Sequence, residues 1–317
     1  MENNVKIYVQ DFYQFVNQKI VSFLLVTQKE LREGKKDYFV RIQFMDKTGP
    51  VVGNIWNNAL SMVELFNEGD VCKIEAMVIS YKDQIQLNIT KIRKAEENEF
   101  DLMDYVPKTN KNVDLMAEQI FSFIDSVKDP HLSMLLKSVF EDKELFTKFA
   151  QSPAAKSWHH NYVGGLLEHT LSVTKICDFS AEQYSLNRDL LITGALLHDF
   201  GKIFEYHTMP SIDFSDEGRL IGHIPMCDYL ICEKAFKINH FPINTLMKLR
   251  HLILSHHGEL EKGAVKVPQT IEAVILHHAD NLDAQTVGVA QLISASNDPK
   301  AKWTEYDKLN NRYIYIG

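Results

Sequence analysis

Cysteine is scarce in this chain, with only Cys72, Cys177, Cys227 and Cys232 among 317 residues. They stand at no spacing that a thiolate metal site uses, which excludes a disulfide framework and a zinc centre of the CxxC kind. No apolar run approaches the ~18 residues that a membrane-spanning helix requires. The opening residues, MENNVKIYVQDFYQF, also lack the charged, apolar, small-residue order of a secretory signal. A cytoplasmic protein without a membrane partner is expected. Excess positive charge is missing too: the formal net charge is −8, which excludes a uniformly basic nucleic-acid coat. Internal repeats are absent.

The charge that is present is unevenly placed. Residues 1–95 hold 13 Lys and Arg against 11 Asp and Glu, a net of +2, whereas the remainder holds 21 against 31, a net of −10. An acidic second part repels a polyanion unless bound cations intervene. With 45% hydrophobic residues, the chain can fill two cores. The expected fold is multidomain, an all-β barrel of the OB type over residues 1–95 followed by an all-α unit over 113–290. Residues 96–112 are expected as a linker and 291–317 as a C-terminal extension.

The β part rests on alternation and punctuation. Ile85, Leu87 and Ile89 fall on one face of a strand and Gln84, Gln86 and Asn88 on the other. Turn signals at Glu33-Gly34 and Lys47-Thr48-Gly49-Pro50 break earlier runs, and a helical stretch, 59–67, separates the two sets. About five strands and one helix in some 90 residues is the content of a small closed barrel. Beyond residue 112 the period becomes helical, with helices expected at 113–128, 131–150, 164–184, 188–201, 223–239, 243–256 and 269–287.

Thirteen histidines are many for this length, and most lie between His159 and His278. In "GALLHDFGKIFEYH", His198 and Asp199 end a run too apolar to accept a charge cheaply. If 164–184 and 188–201 form an antiparallel hairpin, His169 and His198 reach the same end of it, given a rise of ~1.5 Å per residue. A second hairpin does the same for His223 and His256, and a last long helix brings Asp280. The expected metal ligands are His169, His198, Asp199, His223, His256 and Asp280, four imidazoles and two carboxylates. That set suits Mn²⁺, Fe²⁺, Co²⁺, Zn²⁺ or Mg²⁺. Six ligands exceed the needs of one ion, and Asp199 has the two oxygens that can bridge a pair. Lys202 is expected to stabilise transition-state charge, with the adjacent Gly201 admitting a phosphate; the alternative is a solvated lysine at a helix end. His257 is expected to protonate a leaving oxygen or contact phosphate, to replace His256 as ligand, or to fill space. His159, His160, His277 and His278 are candidates for holding the ligands, and Glu168 is expected to face solvent.

Together, "HHNYVGGLLEHTLSV", "GALLHDFGKI", "GHI", "SHHGELEKG" and "LHHADNLDA" resemble the HD superfamily of metal-dependent phosphohydrolases. With the N-terminal barrel, the chain resembles the YhaM-type 3′→5′ exoribonucleases over nearly its whole length. The resemblance implies a metal-dependent phosphodiesterase, with Mn²⁺ favoured, in which metal-activated water releases nucleoside 5′-monophosphates from single-stranded RNA and, in some members, single-stranded DNA. The competing readings are an HD-type nucleotide or cyclic-dinucleotide phosphohydrolase and a non-enzymatic nucleic-acid-binding protein with a structural metal. Gly165 stands where a third-metal glutamate of such nucleotide hydrolases would sit.

In the barrel, Trp56 and Tyr81 are the expected base-stacking residues, with Phe39 and Phe44 as weaker candidates, and Arg41 and Lys82 are expected at phosphates. Lys35, Lys36, Arg93 and Lys94 could follow the backbone of a strand. The aromatic-rich C-terminus, "SNDPKAKWTEYDKLNNRYIYIG", suggests a homo-oligomer.

Overall fold

The computed structural model describes residues 7–34, 37–81, 84–101, 104–156, 158–208, 212–294, 301–307 and 310–317. Two units divide the chain: Met1–Lys108 with Thr208–Ile212, and Thr109–His207 with Asp213–Gly317.

In the first unit, β1 (Lys19–Glu33), β2 (Tyr38–Asp46), β3 (Gly49–Ile55), β4 (Val71–Tyr81) and β5 (Gln84–Lys94) close into a barrel in the order β1-β2-β3-β5-β4. The pairing of β3 with β5 is parallel and the others are antiparallel. Alternation does the sorting: Val40, Ile42, Phe44, Ile74, Val78 and Leu87 point inward and are fully buried. The long β1 serves two neighbours, pairing with β4 over Lys19–Leu25 and with β2 over Leu25–Glu33. A register shift between Val26 and Gln28 marks the bend, and such bulges let a sheet curl shut. Helix α1 (Ala59–Met62) lies between β3 and β4, which completes the OB arrangement.

The expected linker is only partly one. Tyr105 is fully buried in a cluster with Leu25, Val71 and Ala95, and Phe100 meets its ring edge-on at 5.7 Å. Lys47 also binds Asp104 at 2.7 Å. The polar composition of this stretch hid two aromatic anchors, so the barrel unit extends to Lys108.

The second unit contains α2 (Val113–Ser126), α3 (Pro130–Phe140), α4 (Lys143–Gln151), α5 (Gly165–Gln183), α6 (Arg188–Leu197) and α7 (Lys202–Glu205). After the antiparallel pair β6 (Tyr206–His207) and β7 (Asp213–Phe214), strands of two residues each, come α8 (Asp216–Leu220), α9 (His223–Phe236), α10 (Ile243–Ser255) and α11 (Ile271–Ser294). The helix expected over 131–150 is two helices, because the Asp142 carboxylate accepts from the backbone N–H of Glu144 and Leu145 and caps α4. Similarly the helix expected over 188–201 stops at Leu197 and resumes at Lys202.

Every residue of α6 from Leu190 to Leu197 is buried, so its end is delivered into the middle of the unit. Phe200 fixes it there, stacked on Phe149 at 5.2 Å and edge-on to Phe140 at 5.3 Å. Each such pair adds ~0.5–1.5 kcal/mol beyond area burial. At the C-terminus, isolated bridges join Trp303 to Tyr315 and Asp307 to Arg312. Among the described residues no helix is long and apolar enough to cross a membrane.

Candidate metal centre

Helix ends leave carbonyls without partners, and two histidines use them. His198 follows the last residue of α6, and its Nδ1 donates to the carbonyl of Ala195 at 2.8 Å. His256 follows α10 and donates in the same way to Ile253 at 2.7 Å. A carbonyl can only accept, so the proton sits on Nδ1 and each Nε2 carries a lone pair. Carboxylates orient the other two: His169 Nδ1 lies 2.7 Å from Asp283 Oδ2, and His223 Nδ1 lies 3.0 Å from Glu205 Oε1.

All four Nε2 atoms converge on Asp199. Its Oδ2 lies 3.4 Å from Nε2 of both His169 and His198, and Asp280 Oδ1 is 3.1 Å from His169 Nε2. Its Oδ1 lies 3.4 Å from Nε2 of both His223 and His256. The six residues expected as ligands thus form two donor sets that share one carboxylate. Donors bound to one ion at ~2.0–2.2 Å are separated by about 3 Å, close to these spacings. Asp199 Oδ1, His223 Nε2 and His256 Nε2 are moreover buried without any hydrogen-bond partner. Orphaned buried acceptors are costly unless something cationic or proton-bearing joins them, so the cluster fits a divalent metal.

The electrostatics agree. Burial opposes charge on Asp199, but the Lys202 ammonium holds the carboxyl well below the usual range. Burial likewise works against a proton on His169, yet Asp199, Asp280 and Asp283 outweigh it and raise the imidazole well above its ordinary value. Burial pushes His223 down despite Glu205. The carboxylate-rich side therefore attracts positive charge.

Two supporting residues, Asp283 and Glu205, are not among those expected from the sequence. Asp283 accepts from Ser172 Oγ and lies 2.9 Å from His160 Nε2 as well as holding His169. Its signal was the i,i+3 spacing from Asp280 on α11. Glu205 takes both the backbone N–H and the Nδ1 of His223. Partners of this kind fix ring orientation and ligand basicity. Glu168, expected in solvent, is buried, accepting from Thr109 Oγ1 at 2.6 Å and pairing with Lys111 at 2.8 Å.

Other expectations are revised. Lys202 is not a solvated helix-end lysine; it is buried and its Nζ lies 2.6 Å from Asp199 Oδ2. Gly201 does not cradle a phosphate, since a Cβ there would meet the His223 carbonyl oxygen at 2.1 Å. Its missing side chain lets α9 approach. At Gly165 a Cβ would meet the His160 carbonyl oxygen at 2.0 Å, so the position of the third-metal glutamate is filled by backbone. His257 Nδ1 donates to the Lys262 carbonyl at 2.9 Å, which makes Nε2 an acceptor and does not suit a proton donor. Its ring joins Asp199, His223 and His256 within ligand reach of one another. His277 Nδ1 donates to the His256 carbonyl at 2.8 Å, whereas His278 is exposed beside an apolar groove.

In the barrel unit, Trp56 is 52% exposed, stacks on Phe39 at 4.8 Å and donates from Nε1 to Asn88 Oδ1 at 3.0 Å. Arg41 pairs with Asn54 across β2 and β3, and Tyr81 is exposed at the end of β4. Phe44 is core and cannot stack. Arg93 and Lys94 are committed to Glu99 and Asp70, at 2.6 Å each. Lys35, Lys36 and Lys82 lie outside the described residues.

Residues 166–285 match the family model described as HD domain. The matched span contains His169, the His198-Asp199 pair, His223, His256 and Asp280 of the cluster. Among solved structures, the L. monocytogenes phosphodiesterase PgpH HD domain is 17% identical with a TM-score of 0.31, over 49% of this chain and 76% of its own. The second OB-fold domain of replication protein A from Methanococcus maripaludis is 15% identical with a TM-score of 0.25, over 29% of this chain and 97% of its own. Residues 166–285 thus match an HD domain, and the N-terminal unit is a five-stranded closed barrel of OB-like order.

Proposed function

We propose that this protein is a metal-dependent 3′→5′ exonuclease of the YhaM type that trims single-stranded RNA, and single-stranded DNA as a second polymer, to nucleoside 5′-monophosphates. The observation that carries the reading is Asp199, whose two buried oxygens each face a separate pair of histidine Nε2 atoms at 3.4 Å. His169, His198, Asp199 and Asp280 would hold one cation, and Asp199, His223 and His256, with His257 completing the set, the other. Two divalent cations, manganese favoured, supply Lewis acidity toward a phosphoryl oxygen and toward water.

The chain's own residues do the rest. Asp283 and Glu205 keep the rings of His169 and His223 turned inward, so that no reorganisation is needed when substrate arrives. Lys202 stands 2.6 Å from Asp199 and adds a fixed positive charge of the chain's own where a phosphoryl group would gain negative charge. The buried walls of the site exclude bulk water and strengthen these interactions. On the barrel, the Phe39–Trp56 stack and Arg41 offer a base platform beside a phosphate contact, which raises the local concentration of polymer at the centre. That favours polymers over the mononucleotides and cyclic dinucleotides of other HD-type hydrolases.

The test is digestion of 3′- and 5′-labelled single strands with the full chain in Mn²⁺. Ladder shortening from the 3′ end with release of 5′-monophosphates is expected. Unchanged oligonucleotide together with hydrolysis of dGTP or cyclic di-GMP would replace this reading with the small-molecule one, and binding without cleavage would make the protein a nucleic-acid-binding module.

A further inference from the structure

His159 stands beside the metal centre, its ring 5.2 Å from that of His169, yet neither of its nitrogens bonds to a described residue. Nδ1 is buried without a partner. His159 also belongs to none of the groups of ligating atoms that lie within 4.8 Å of one another. It is neither one of the converging ligands nor one of the residues that orient them.

Trp158, His160 and Asn161 beside it are, by contrast, tied down. Trp158 packs so closely on α11 that a Cβ on Gly288 would meet its ring at 2.3 Å. His160 is held from both sides, by Tyr162 Oη at Nδ1 and Asp283 Oδ2 at Nε2, each at 2.9 Å. Asn161 Oδ1 accepts from Gln291 Nε2 at 3.4 Å. The His160 backbone adopts φ +51°, a left-handed conformation that side chains other than glycine seldom take. Strained backbone of this kind persists where surrounding contacts over-determine it, and it clusters at ligand-binding sites. Here the fixed loop presents one histidine with no partner of its own.

We propose that His159 is a substrate-contact residue that donates a hydrogen bond from Nε2 to a phosphoryl oxygen of the nucleotide on the His169 and Asp280 side of the centre. The assignment of the proton follows from burial. An unpartnered N–H at the sealed Nδ1 position is costlier than an unpartnered lone pair, so the proton belongs on the other nitrogen. The inference rests on the phosphohydrolase reading in that its ligand is a phosphate, and it adds a specific contact to that site.

The experiment uses the full chain loaded with Mn²⁺ and AMP as the probe, titrated calorimetrically, with metal content and melting temperature measured on every sample. His159→Phe, which keeps a flat ring, and His159→Ala should bind AMP roughly tenfold more weakly than wild type. Both should retain wild-type manganese content. His159→Gln, which restores a donor, should recover part of the loss. Equal AMP affinity in wild type, His159→Phe and His159→Ala would overturn the proposal. So would loss of manganese from both variants, which would make His159 part of the metal site, or a wild type without affinity for AMP. A wild type that binds AMP but leaves RNA intact removes the nuclease reading alone, and the fall in His159→Phe then still supports the contact.

Discussion

Gly201 gives the account a point of mechanical leverage. It sits between the His198-Asp199 pair and Lys202, with the first turn of α9 pressed against it, and a Cβ there would lie 2.1 Å from the His223 carbonyl oxygen and 2.9 Å from the Cys227 nitrogen. Both clashing atoms are backbone, so no side chain can rotate away. Restoring ordinary contact at 3.4 Å requires the start of α9 to retreat by about 1.3 Å, and His223 moves with it. Overpacking of this kind costs about 1–3 kcal/mol. At roughly 2–4 °C per kcal/mol for a unit of ~200 residues, Gly201→Ala should lower the melting temperature by about 2–12 °C. The functional effect should be larger than the structural one. A displacement of ~1 Å at a catalytic centre costs on the order of a hundredfold in rate, and it also separates His223 from Asp199. The assay pairs differential scanning calorimetry with manganese titration of the same sample. A variant with unchanged melting temperature and unchanged manganese binding would refute the argument that α9 is positioned by the absence of a side chain at 201.

Two further outcomes concern the barrel unit. Trp56→Ala removes the exposed half of the Phe39 stack, so full-chain affinity for a single-stranded oligonucleotide should fall by ~1–3 kcal/mol per lost base stack; fluorescence anisotropy that shows no change would place the strand elsewhere. Glu99 is lowered from 4.5 to about 2, chiefly by its ion pair with Arg93. A depressed acid stabilises the fold above its unfolded value and loses that contribution as pH falls through the folded one. The melting-temperature gap between wild type and Arg93→Ala should therefore be constant above about pH 5 and close between pH 4.5 and about 2. A gap that instead widens as pH falls would contradict the pairing.

Much of this architecture was legible because it depends on local period. Alternation in 84–94 placed a strand, and helical spacing with a short turn at Asn187 placed the hairpin that brings His169 to His198. What was not legible depends on contacts between distant segments. Asp142 is the local exception: its carboxylate caps α4 two and three residues on, inside a run whose period reads as one helix. Glu168 looks solvent-facing until Thr109 and Lys111, some sixty residues earlier, fold back onto it. Glu205 carries no mark of its role in a linear reading and Asp283 only its spacing from Asp280, since each is defined by the histidine nitrogen that it holds. The segment around Tyr105 read as a tether because polar neighbours outnumber its two aromatic anchors.

Asp199 is proposed to serve two cation sites, one at each carboxylate oxygen. Anomalous diffraction from crystals grown in excess Mn²⁺, recorded at the manganese edge, tests it most directly. Two peaks are expected, one on each side of the Asp199 carboxylate, the first among His169, His198 and Asp280 and the second among His223, His256 and His257. A cluster without manganese density, or a single ion bound away from Asp199, would contradict it.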